Sequence, residues 1–162
     1  MTPEYFLKNA LIPALRLLPD SMDSQEARAE LLAIGLQESG FKDRAQIHGP
    51  AHSFFQMEQG GGVRGVLNHP VTQPLIRSVL DTLEYPLDAS PEVCWNAIEH
   101  NDILAACFAR LLLYTLPYVL PARNAPAVGW SQYTAAWRPG KPRRESWDAF
   151  FTEAWEIVTL EA

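Results

Sequence analysis

Glu38 is the residue best placed for acid–base chemistry in this sequence. It follows Leu31 by seven residues and Ile34 by four, so it extends the apolar face of a predicted helix. It also falls in the last turn of that helix, where the helix dipole is negative. Burial and the dipole both favour a protonated carboxyl group, so the pattern predicts the raised pKa that a general acid needs near neutral pH. The alternative is a frayed helix end that turns Glu38 into solvent.

The stretches LLAIGLQESGF (31–41) and GPAHSFFQME (49–58) surround this residue. They resemble the lytic transglycosylases of the lysozyme-like superfamily, in which a Glu-Ser pair closes a helix, an aromatic residue follows, and a loop ends in Gln-Ile. Glu38-Ser39 and Phe41 match the first part of that motif, and Gln56-Met57 match its end. The resemblance identifies Glu38 as the catalytic acid.

A third element of the family is an Ala-Tyr-Asn-type segment near the C-terminus, and its counterpart here is Gln132-Tyr133-Thr134. Tyr133 would therefore be the cleft tyrosine, and the following WRPGKP stretch (137–142) is similar to small phage-encoded members. Aromatic rings stack on sugars, which makes the two tryptophans nearest Tyr133 candidates for sugar contact. The residues predicted to bind substrate are Ser39, Phe54, Gln56, Glu58, Trp130, Tyr133 and Trp137. Trp147 and Trp155 have helical spacing and are predicted to be core.

The resemblance implies cleavage of the β-1,4 bond between N-acetylmuramic acid and N-acetylglucosamine in peptidoglycan, with Glu38 serving as both acid and base and no cofactor. Two alternatives remain open. A hydrolytic muramidase on the same fold would place water with a second carboxylate such as Glu58. A non-catalytic virion structural or sugar-binding module is favoured by Pro50 and Ser53, which stand where the family usually has glycines.

The histidine pair and the charged residues near the Gly-rich loop do not indicate a further catalytic or metal site. His48 and His52 are four residues apart, but Gly49-Pro50 between them breaks the helix that this spacing would need for zinc, so no metal site is predicted. Asp43 lies between Lys42 and Arg44 and is predicted to belong to a solvated charge cluster.

The remaining basic residues near the C-terminus are Arg138, Lys141, Arg143 and Arg144. They stand out in an acidic chain. They are interpreted either as a solvated loop or as a contact for the anionic cell-wall polymer.

Helices must position these residues. Thr2-Pro3-Glu4 predicts a helix start, with the helix running to about residue 18 and a kink at Pro13. Ser24 opens the second helix and Gly40 stops it. Six of nine glycines fall between residues 40 and 65, which predicts a long ordered loop or a small β-hairpin.

Further helices are predicted at about 73–84, from residue 90 onward, at about 127–137 and at about 145–160, with Asp102 capping the apolar segment that follows it. The predicted fold is mainly α, a single lysozyme-like catalytic domain over residues 1–162 with the Gly-rich loop or hairpin after the catalytic helix. The cleft is expected between the end of the Glu38 helix and the C-terminal helices.

The composition argues against some classes of binding partner. The chain has 162 residues and a formal charge of −6, which argues against a nucleic-acid scaffold. No apolar run reaches the ~20 residues of a membrane-spanning helix. Cys94 and Cys107 lie in apolar helical sequence and are predicted to be buried free thiols.

The N-terminal stretch has prolines and no basic leader, so no signal peptide is predicted. Together with the resemblance to phage members, this suggests a virion-associated protein or an endolysin that a holin releases from the host cytoplasm. Its expected partner is the peptidoglycan glycan strand in the periplasm or cell wall.

Overall fold

The N-terminal segment is helical but irregular. The computed structural model describes residues 1–161, beginning with α1 (Pro3–Phe6), a π-helical turn (Leu7–Leu11) and α2 (Ile12–Leu15). The Thr2 side chain accepts a hydrogen bond from the backbone N–H of Tyr5, which confirms the predicted start. The helix is irregular just before Pro13, where the sequence predicts a kink, because the π-helical turn ends two residues before that proline. The helix ends at Leu15 rather than near residue 18, because the chain tightens into shorter turns before Pro19.

The second predicted helix is the centre of the structure. After a 3₁₀ turn (Asp20–Met22), α3 (Gln25–Glu38) begins where the Ser24 hydroxyl accepts a hydrogen bond from the N–H of Ala27 at 3.0 Å. It is buried on almost every side from residue 29 to residue 37, rather than along one face as its spacing indicates. The difference arises because the C-terminal helix packs along its length, while the N-terminal segment and another apolar helix cover other sides.

The Gly-rich stretch forms the small β-hairpin that the sequence allows for. Strands β1 (Ala51–His52) and β2 (Met57–Glu58) pair antiparallel, with Ala51 opposite Glu58. A second π-helical turn (Gln59–Val63) then leads into the remaining helices. These are α4 (Arg64–Asn68), α5 (Gln73–Thr82), α6 (Pro91–His100), α7 (Asp102–Tyr114), α8 (Pro126–Trp137) and α9 (Arg144–Leu160). The mainly α prediction is therefore confirmed.

The cap of α7 differs from the prediction by one residue. The Asn101 side chain, and not that of Asp102, accepts the hydrogen bond from the N–H of Leu104. Asp102 is instead the first residue of the helix, and its carboxylate is paired with Arg44. Asn101 takes the capping role because the cap is the non-helical residue just before the first helical one.

The core extends from the first helix to the last, and the predicted core tryptophans belong to it: Trp147 is fully buried and Trp155 nearly so. Cys94 and Cys107 are buried free thiols, as predicted. Burial raises the pKa of Cys94 to about 11 and that of Cys107 to about 12, so both are held as thiols. Within residues 1–161, no helix combines the length and the apolar character needed to cross a membrane.

Glu30 is a carboxylic acid buried in this core without a hydrogen-bond partner from residues 1–161. It lies in the middle of α3, is fully buried, and neither carboxyl oxygen has a hydrogen-bond partner among the described residues. Gly129 of α8 makes room for it, because a Cβ at that position would lie 2.7 Å from Glu30 Oε2. Burial raises the pKa of Glu30 well above its ordinary value of 4.5, so the group is held as a neutral acid.

This arrangement predicts a pH-dependent stability. The pKa of Glu30 is higher in the folded protein than in the unfolded chain. Its contribution to the free energy of unfolding should therefore be constant below pH 4.5 and should decrease as pH rises toward the folded pKa. The fall should approach about 1.4 kcal/mol per pH unit. Glu30→Gln keeps the shape without a titratable proton and should remove this component. Denaturant unfolding of both proteins across the pH range measures it, and parallel pH profiles would contradict the assignment.

Candidate functional site

The chain reverses directly after Glu38, and the reversal fixes where that residue lies. Gly40 and Phe41 both adopt the left-handed conformation, with φ of 60° and 57°. The reversal folds the Phe41 ring back onto α3, where it is fully buried against Gly35. A Cβ at Gly35 would lie 2.3 Å from that ring, so only glycine permits this packing. The last turn of α3 is therefore held in place, and the frayed end considered for Glu38 does not occur.

An aromatic cluster holds the loop against the N-terminal segment. The rings of Phe6 and Phe41 have centroids 4.8 Å apart, and Phe54 and Phe55 pack on them edge to face. Phe54 is only 3% exposed and does not line the cleft. The sequence predicts Phe54 to bind substrate, but the loop turns this ring into the core and covers it with the Arg44 guanidinium, away from the cleft lining.

Ser39 joins the end of the helix to the loop. Its hydroxyl donates a hydrogen bond to the Phe54 carbonyl at 2.6 Å and accepts one from the N–H of Phe41 at 3.1 Å. The residue does line the cleft, as predicted. With its proton already donated to the loop, its main contribution is to fix the wall of the cleft beside Glu38.

Two further contacts anchor the hairpin to the helices. Arg44 forms a two-pronged ion pair with Asp102, one prong of which spans 2.9 Å. The Trp95 indole donates to the Pro50 carbonyl at 2.9 Å and stacks on the His52 ring with centroids 3.6 Å apart. His52 is therefore part of the scaffold, while His48 is exposed, and neither lines the cleft.

Helices α3 and α8, the hairpin and the α8–α9 connection enclose a cleft of about 520 Å³. Most of the residues predicted to bind substrate line it, namely Ser39, Gln56, Glu58, Tyr133 and Trp137. Asp43 also reaches it from an exposed position. Within residues 1–161, no group of three or more His, Cys, Asp or Glu side chains is arranged to hold a metal ion.

Trp130 does not line the cleft as expected. It lies half-buried behind Tyr133, with ring centroids 5.6 Å apart, and its other neighbours are Trp147 and the Arg144 guanidinium. Since it falls three residues before Tyr133, the helix places the two side chains next to each other, but only Tyr133 lines the cavity. Trp137 does line the cleft, and its indole donates to the Phe55 carbonyl at 2.8 Å, which joins α8 to the loop.

Part of the Gln56 side chain is hydrogen-bonded within the loop. It adopts a left-handed backbone conformation, and its side-chain NH₂ donates to the Ser53 carbonyl at 2.8 Å. No bond to its side-chain oxygen is formed by the described residues. Gln56 therefore presents a fixed amide to the cleft.

A hydrogen bond in the cleft joins two of the residues that the sequence predicts to be functional. The Tyr133 hydroxyl donates to Glu38 Oε1 at 2.7 Å, across 95 residues of sequence. The Tyr133 ring is fixed in turn by parallel stacking on Trp147, with centroids 5.2 Å apart. Burial raises the pKa of Glu38, while the Tyr133 bond and the positive charge of Arg143 oppose that rise. Burial and the nearby Glu38 raise the pKa of Tyr133, so it stays a donor.

A second network, which the sequence analysis did not foresee, fixes Arg143 beside the acid. The Gln37 side chain donates to the Arg143 carbonyl at 2.9 Å, and the Arg143 guanidinium donates to the Gln37 carbonyl at 2.8 Å. The Ser146 hydroxyl donates to the Gln37 side-chain oxygen. The residue before Glu38 is thus tied to the start of α9.

The other residue that the sequence analysis missed is Glu30. The signal was present, because Glu30 follows Ala27 by three residues and precedes Ile34 by four, and the same spacing drew attention to Glu38. No comparable signal exists for Gln37, whose partners lie 106 and 109 residues away.

Comparisons of the chain with protein-family models, with curated proteins and with solved structures gave no match. Its chemistry must therefore be argued from the cleft itself.

The geometry predicts that Tyr133→Phe raises the pKa of Glu38 further. The phenol donates to the carboxylate, and its loss destabilises the ionised form while phenylalanine keeps the stack on Trp147. Carboxyl-carbon NMR titration of Glu38 measures the shift. Tyr118→Phe, at a tyrosine that is 65% exposed and outside the cleft, is the matched control. An unchanged or lowered Glu38 pKa in Tyr133→Phe would contradict the role of this bond.

Proposed function

We propose that this protein is a lytic transglycosylase with a lysozyme-like fold, which cleaves the β-1,4 bond between N-acetylmuramic acid and N-acetylglucosamine in peptidoglycan. The observation that carries the proposal is the state of Glu38. Its carboxyl group opens into a cleft, is bonded to a neutral tyrosine, and has a raised pKa because of burial. A carboxyl group in this state can give up a proton near neutral pH, as glycosidic bond cleavage requires.

In the first step, Glu38 donates its proton to the glycosidic oxygen. The bond from that oxygen to the anomeric carbon breaks, and the N-acetylglucosamine side leaves with a new hydroxyl group. Positive charge develops on the muramic ring while negative charge develops on Glu38. The Tyr133 hydroxyl, 2.7 Å from the carboxyl oxygen, stabilises that negative charge.

In the second step, the Glu38 carboxylate removes the proton from the 6-hydroxyl of the same muramic ring. The freed oxygen bonds to the anomeric carbon and closes a 1,6-anhydro ring, and Glu38 regains its proton. The intramolecular hydroxyl outcompetes water because the ring holds it at high effective concentration. A single carboxylic acid therefore suffices for both steps.

Glu58 keeps a second candidate open. It is an exposed carboxylate that lines the same cleft as Glu38, which is the kind of residue that could activate a water molecule. In that case the protein would be a hydrolytic muramidase, and two carboxyl groups would share the work.

Glu38→Gln should reduce cleavage of purified peptidoglycan by at least about 100-fold, since the amide cannot donate the proton. Its melting temperature should be equal or slightly higher, because the substitution removes a carboxyl group from an unfavourable site. Release of soluble muropeptides measures activity, and thermal unfolding verifies the fold.

Two other cleft carboxylates are the matched controls. Asp43→Asn and Glu58→Gln are the same acid-to-amide change at exposed positions that line the cleft, and each should retain most of the activity. If Glu58→Gln is as inactive as Glu38→Gln, the hydrolytic alternative replaces the proposal. If wild-type protein binds peptidoglycan without cleaving it, the protein is a binding module.

A further inference from the structure

One wall of the cleft is basic although the protein as a whole is acidic. The connection between α8 and α9 lines the cavity with Arg138, Lys141 and Arg143, which we call the basic wall. All three side chains belong to exposed residues. The formal charge of the chain is −6, so three cations on one short connection are a local departure from its overall balance.

The cations of the basic wall have no ion-pair partners within the part of the chain that the structure describes. No carboxylate of residues 1–161 lies within 4.0 Å of any of their charged nitrogens. Arg28 and Arg44, by contrast, form two-pronged pairs with aspartates, so their charges are neutralised within the protein. Arg143 donates to the Gln37 carbonyl, which fixes its position without neutralising its charge.

The cleft carboxylates belong to other elements than this wall. Asp43 and Glu58 reach the cavity from the loop and the hairpin, and Glu38 is the last residue of α3. The positive charge of Arg143 acts on Glu38 and opposes the rise in its pKa. The cations of the connection thus add a positive contribution to one part of the cavity lining, which would attract a ligand with a negative group.

We propose that the basic wall binds a carboxylate carried by the glycan, so that the cleft selects acidic over neutral sugar chains. Guanidinium and ammonium groups bind carboxylates through charge-assisted hydrogen bonds, whereas sugar hydroxyls offer them no charge. The proposal rests on the function proposed above, because peptidoglycan carries carboxylates on its stem peptides and on the lactyl groups of muramic acid residues that lack a peptide. The proposal specifies that the basic wall is the part of the cleft that binds these carboxylates.

The test measures binding of two forms of one peptidoglycan fragment to protein carrying Glu38→Gln, which prevents turnover. One form has its natural carboxylates, and the other has them converted to amides. Calorimetry at low salt should show that Arg138→Gln with Lys141→Gln weakens binding of the acidic form by about 5- to 20-fold. Binding of the amidated form should not change, and added salt should reduce the difference between the forms.

Arg144→Gln is the matched control. It removes a positive charge from the same basic stretch, but Arg144 pairs with Asp148 at 2.6 Å and lies over Trp130, outside the cleft. It should leave the affinity for both forms unchanged. The proposed role of the basic wall would be overturned if the two forms bind equally, or if Arg144→Gln weakens binding as much as Arg138→Gln with Lys141→Gln. Either result would leave the proposed function intact. If neither form binds the protein, the proposed function itself fails.

Discussion

The hydrogen bond between Tyr133 and Glu38 is the interaction on which the rest of the cleft depends. It joins α3 to α8 across the cavity and holds a carboxyl group that burial would otherwise leave without a partner. Burial favours the neutral acid, and the phenol stabilises the carboxylate that remains after proton loss. The two effects oppose each other, which suits the two proton transfers proposed for Glu38. The stack of Tyr133 on Trp147 keeps the donor in position.

The loop after Glu38 is the second requirement, because it makes the other side of the cleft. It is held from within by Phe41 on Gly35 and by the Ser39 hydroxyl, and from outside by Arg44 and Trp95. These contacts use packing, hydrogen bonds and one ion pair, so the loop does not need regular secondary structure over most of its length. These contacts fix the position of the cleft wall relative to Glu38.

Signals that act over a few residues could be predicted from the sequence. The Ser24 cap, the stop at Gly40 and the partial burial of Glu38 depend on neighbouring positions, and the structure has all three. The partners of Glu38 could not be found this way, because Tyr133 is 95 residues distant and was suggested only by a resemblance. The core position of Phe54 could not be predicted either, because an aromatic residue in a loop fits a core and a sugar site equally well.

In the proposed mechanism one carboxylic acid, Glu38, performs both proton transfers and no water molecule reacts. Mass spectrometry of peptidoglycan digested in heavy-oxygen water distinguishes this mechanism from hydrolysis. The expected products are muropeptides that end in 1,6-anhydro-N-acetylmuramic acid, lighter by one water than hydrolysed ends and free of solvent oxygen at the cut. Reducing ends that carry heavy oxygen, without any anhydro product, would contradict the proposed mechanism.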